Sequence, residues 1–122
     1  MFDWADYLDV ADALIARVGG EAAERSAISR AYYACYGVAW NYAHARHAPL
    51  SRTGRDHTAV WNWFLANPDR DPVSRRVSQN GRRLKQWRIA ADYDDAYRGV
   101  PSVARNALAT ARQVLADIGS LS

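Results

Sequence analysis

The chain has 122 residues, 49% of them hydrophobic and 24% charged, which suits one folded domain with a single core and excludes a disordered segment. No apolar run approaches the ~20 residues that cross a bilayer, and the acidic opening lacks the basic-then-apolar order of a secretory signal, so a cytoplasmic protein without membrane contact is expected. The net charge of +3 hides an asymmetry: residues 1–24 carry six acids against Arg17 alone, while residues 69–88 carry seven bases against Asp69 and Asp71.

A first helix is predicted from about Asp3 to Val18, where Trp4, Tyr7, Leu8, Ala11, Leu14, Ile15 and Val18 keep helical spacing, and Gly19-Gly20 ends it. The second runs from about Glu21 to Ala45. Its large aromatic residues alternate with small ones, and it is apolar on two sides: Ile28, Tyr32, Cys35, Ala39 and Ala43 on one, Tyr33, Gly37, Trp40 and His44 on another. Such a helix belongs at the centre of a bundle. Gly37 costs about 1 kcal/mol in a helix interior, which points to close approach by a neighbouring helix or a ligand. Cys35, the only cysteine, reads as a buried thiol.

Residues 46–56 read as a loop, and a third helix follows from about Asp56 to Leu65 with Val60, Trp61 and Phe64 as its stripe. Residues 67–72 form a turn, with Asp71 as N-cap and Pro72 in the first helical position. The fourth helix spans about Pro72 to Ala96 with a narrow stripe of Val73, Val77, Leu84, Trp87 and Ala91, its bases largely on the other faces. Gly99-Val100-Pro101 breaks the chain before a fifth helix from about Ser102 to Ile118. No segment alternates as a strand would. The expected fold is all-α, an up-and-down bundle of about five helices in one domain over residues 1–122.

Ser29-Arg30-Ala31-Tyr32-Tyr33-Ala34, then His57 opening a helix, then Arg88-Ile89-Ala90-Ala91-Asp92-Tyr93 occur in this order. The combination resembles the HEPN family, and more closely its small stand-alone members. The resemblance implies a helical bundle that dimerises and a link to toxin–antitoxin or phage-defence modules. It also implies a nucleotidyltransferase-type or antitoxin partner, and in many members metal-independent ribonuclease activity. In those enzymes a histidine lies four to six residues after an arginine. Here no histidine follows Arg88; Arg52 and His57 match the spacing but straddle Gly54 in a loop, so they are not taken as that motif.

Two readings therefore remain open. One is a module that binds RNA, a nucleotide or a protein partner. The other is an endoribonuclease with a variant site, in which His57 moves a proton and Arg88, oriented by Asp92, holds the phosphate. Candidate ligand contacts are Arg30, Tyr33, Tyr93, Arg82, Arg83 and Lys85, the last three as a basic run that suits phosphate. Arg30 could instead pair with an acid of the first helix, and Arg88 with Asp92 could belong to an interhelical polar network. No metal or other cofactor is expected, since His44 and His47 have no carboxylate or cysteine at matching spacing.

Overall fold

The computed structural model describes residues 1–66 and 71–121, and among these there are helices and connecting turns but no strand. The helices are α1 (Asp6–Ala13), α2 (Glu21–Ala45), α3 (Asp56–Leu65), α4 (Pro72–Tyr93) and α5 (Val100–Ser120), and α1 continues into a π-helical turn at Leu14–Val18. The bundle expected from the hydrophobic spacing is what the chain forms. Residues 67–70 of the expected turn lie outside the described residues. Asp71 caps α4 as expected, accepting the Val73 amide at 2.8 Å, with Pro72 in the first turn.

α2 is the central helix and touches each of the others. Its alanines at 23, 27, 31, 34, 39 and 43 are buried and allow close approach on several sides, while Ile28, Tyr32 and Cys35 fill the space between them. Leu84 and Val77 of α4, Ala107, Ala111 and Val114 of α5, and Val60, Trp61 and Phe64 of α3 complete one continuous core. Each fully buried Leu or Phe contributes about 1.5–3 kcal/mol. The Cys35 thiol is buried, its Sγ reaching the Ala111 carbonyl at 3.5 Å, and burial pushes its pKa up.

Two close approaches depend on glycine. A Cβ at Gly37 would overlap the Trp4 indole, and one at Gly81 would overlap the buried indole of Trp61. The first explains a glycine in the middle of α2 by a neighbouring side chain. The second fixes how closely α3 lies on α4.

Several boundaries differ from expectation. α1 begins at Asp6, after the Asp3 carboxylate accepts the Ala5 amide at 3.0 Å. α4 stops at Tyr93 because Asp94 turns extended, its side chain accepting the Ala96 amide at 3.0 Å. Arg25 of α2 then caps the free carbonyls of Ala91 and Asp94 at 3.1 and 2.7 Å. α5 starts at the buried Val100 rather than after Pro101, because proline is compatible with a first turn. No helix among the described residues is long and apolar enough to cross a membrane.

Candidate functional site

His57 enters α3 in its first turn and lies against α2. Its ring stacks on Tyr36, with centroids 4.1 Å apart and planes 8° from parallel. Nδ1 lies 2.8 Å from the Tyr32 hydroxyl, whose oxygen accepts the Trp61 indole N–H at 3.3 Å. Indole only donates, so the hydroxyl proton goes to Nδ1 in the arrangement that uses every donor. Neutral His57 then carries its proton on Nε2. Burial, reinforced by the positive charges of Arg88 and Lys85 and opposed by Asp56, lowers the imidazole pKa and favours this neutral form. Burial likewise pushes the Tyr32 phenol up, and the Tyr36 phenol to about 12 with help from Asp56 and Tyr33.

The loop before α3 is pinned by Asp56, which is only 1% exposed. Its carboxylate accepts Trp40 Nε1–H at 2.9 Å, the Ser51 amide and hydroxyl at 2.8 Å each, and the Arg52 amide at 2.7 Å. Burial would raise this carboxyl, but those four bonds together outweigh it and hold it at about 2. Arg52 adopts a left-handed φ of 61° within this loop, and its guanidinium lies 5.5 Å from the Trp40 ring.

On its other side His57 lines a cleft of about 300 Å³ between α3 and α4, together with Thr58, Trp61, Asn62, Arg82, Lys85 and Ile89. Lys85 Nζ donates to the Thr58 hydroxyl at 3.1 Å, and the Arg82 guanidinium donates to the Asn62 side-chain oxygen. Two residues of the basic run therefore bridge to α3 across the cleft. Arg83, on the same helix, faces solvent and does not line it.

Arg88 does not line that cleft. Its side chain is 11% exposed and lies between α2 and α4, the guanidinium 5.3 Å from the Tyr32 ring centre and 5.5 Å from that of Tyr33. It pairs with Asp92 at 3.7 Å, and Asp92 accepts the Ser29 hydroxyl of α2 at 3.4 Å. Arg88 Nε is buried without a partner. Arg88, Asp92 and Ser29 thus form an interhelical polar network next to His57, with Tyr32 in contact with both Arg88 and His57.

Arg30, a candidate ligand contact with an acid of the first helix as its alternative partner, lies over the rings of Tyr7 and Tyr33, 4.9 and 5.2 Å from their centres. An aromatic face takes the place of the carboxylate because Tyr7, not Asp6 or Asp9, is turned toward α2. Tyr33 meets α4 through Arg88. Tyr93 is 76% exposed at the end of α4. His44 stacks on Trp40, with centroids 4.6 Å apart, and no cluster of metal-binding side chains occurs among the described residues.

Sequence reasoning missed Tyr32, Trp61, Thr58, Asn62 and Asp56 as parts of the site. The available signal was an aspartate directly before His57 at a helix start, and a tyrosine pair one helical turn apart. Comparison with protein-family models, with curated proteins and with solved structures gives no match.

Proposed function

We propose that this chain is a HEPN-like helical module that binds single-stranded RNA through its backbone phosphates, in the cleft between α3 and α4. The observation that carries the reading is the pair of cations, Arg82 and Lys85, tethered over a cleft whose wall is His57. An ammonium held by one of its three donors keeps the others for phosphate oxygens, and Nε2–H of neutral His57 adds a donor. Catalysis is not part of this reading. A general base needs a lone pair facing the substrate, and the one on Nδ1 is engaged by Tyr32.

A second reading, a metal-independent endoribonuclease, is favoured by one observation: Arg88 and His57 lie against the same tyrosine. Incubating the protein with RNA in the presence of a chelator separates the two. No robust cleavage is expected. Clear cleavage by the parent, lost in folded His57→Ala and Arg88→Ala variants, would establish the nuclease.

The binding test is fluorescence anisotropy with a labelled single-stranded RNA across a salt series. Affinity is expected to fall steeply with salt, and Arg82→Ala with Lys85→Ala should weaken binding and reduce the salt slope by roughly one for each lost phosphate contact. Arg83→Ala should do less, because Arg83 does not line the cleft. A parent that fails to bind, or a double variant that binds equally well, removes the reading. The reading includes a homodimer. It is supported by the charge segregation of acidic α1 and basic α4, which do not touch within the chain.

A further inference from the structure

Behind the Tyr36–His57 stack lies a second cleft of about 350 Å³, walled by Trp4, Tyr33, Tyr36 and Trp40, with Asn41 and Arg52 also in its lining. Its volume falls at the small end of ligand pockets. The aromatic walls are held in place. Trp4 lies close against α2 because Gly37 has no Cβ, Trp40 is tied to Asp56 and stacked on His44, and Tyr36 is backed by His57. Tyr36 lines this cleft, and its stacking partner His57 lines the one that holds Arg82 and Lys85.

The chemistry of the lining selects the occupant. Four aromatic side chains in the lining suit a flat π system. A cationic ligand is disfavoured, because the Arg52 guanidinium offsets the charge of the Asp56 carboxylate, whose two oxygens are already engaged by four hydrogen bonds. An uncharged ring attached to an anion meets both conditions, and the exposed Asn41 amide offers a donor and an acceptor to its edge. We propose that the cleft receives an unpaired nucleobase of the RNA whose phosphates lie at Arg82 and Lys85. This rests on the phosphate-binding reading above and adds a stacking site to it.

The test compares two oligomers of equal length and charge by anisotropy: a single-stranded RNA, and the same ribose–phosphate chain without bases. The RNA is expected to bind roughly 5- to 100-fold more tightly. Trp4→Ala should bring RNA affinity down toward that of the abasic oligomer and leave abasic binding unchanged. Asn41→Leu, which fills the cleft from an exposed helical position, should do the same if Trp4→Ala fails to fold, as judged by its helical melting transition. Lys85→Ala should weaken both oligomers. Equal binding of the two by the parent overturns the base site and leaves the phosphate reading standing. RNA binding that ignores Lys85→Ala but is lost in Asn41→Leu supports the base site and overturns the phosphate reading. Absence of binding by either oligomer overturns both.

Discussion

Trp61 and Gly81 act as one packing unit, since the indole occupies the space a Cβ would take. Gly81→Ala gains about 1 kcal/mol of helix propensity but forces a buried ring to move, so a net loss of about 1–3 kcal/mol is expected in urea unfolding. Gly37→Ala should cost less, because Trp4 is only half-buried, in the turn before α1, and can swing outward. Asp56→Ala would strip partners from Trp40 and from two backbone amides, with an expected cost of about 2 kcal/mol or more. The Asp56 carboxyl is held at about 2, below the ~3.9 of an unfolded aspartate. Its contribution, about 2–3 kcal/mol, is therefore complete above pH ~4–5 and lost as pH falls toward 2. Acid unfolding of Asp56→Asn should lack that component. His57 shifts the other way in charge: its lowered pKa means the folded state resists protonation. Stability should fall as pH drops through ~6.5, and His57→Gln should flatten that part of a melting curve series.

Arg76 joins α4 to α5 by a two-pronged pair with Asp117, at 2.8 and 2.7 Å. Asp117 is buried and also accepts from Gln113, whereas Arg76 is half-exposed. Arg76→Ala should therefore destabilise more than Asp117→Ala, because it leaves a buried carboxylate short of a partner. Replacing both should recover part of the loss, a sign that a double-mutant cycle in urea can check. At this scale the sequence was most legible where periodicity and capping agreed: the limits of α2 and α3 coincide with those read from spacing. It was less so where the ends depend on distant groups. Arg25 capping α4 and Val100 packing into the core are long-range events that no local pattern announces. The same holds for the site. His57 was visible as a histidine at a helix start, but its partners Tyr32 and Trp61 read only as core aromatics, because a hydroxyl or an indole N–H leaves hydrophobic spacing unchanged. Arg82 and Lys85 stood out by charge; what distinguishes them from Arg83 is the facing polar pair on α3, Thr58 and Asn62.

Across the whole molecule, charge remains segregated: α1 carries aspartates whose one described ion pair is Asp12 with Arg112 of α5, and α4 lies out of its reach. The proposed homodimer should therefore appear by light scattering at micromolar concentration and weaken between low and moderate salt; a monomer under both conditions removes it. The arrangement of helices has a further consequence, in the order in which the chain opens. α1 and its π-helical turn touch only α2 and α5, so detaching them leaves the contacts among α2, α3, α4 and α5 intact. Like charges at Asp3, Asp6 and Asp9 favour that detachment, and the Asp12–Arg112 pair is the one described ion pair that opposes it. Residues 6–18 are thus expected to form a separate cooperative unit, whose amide protons exchange with deuterium through openings smaller than global unfolding. Mass-resolved exchange should find them losing protection well before α2, and equal rates for the two would contradict the idea. Because Trp4 precedes this unit and walls the aromatic cleft, an RNA base seated there should slow exchange in α1 while leaving α5 unchanged.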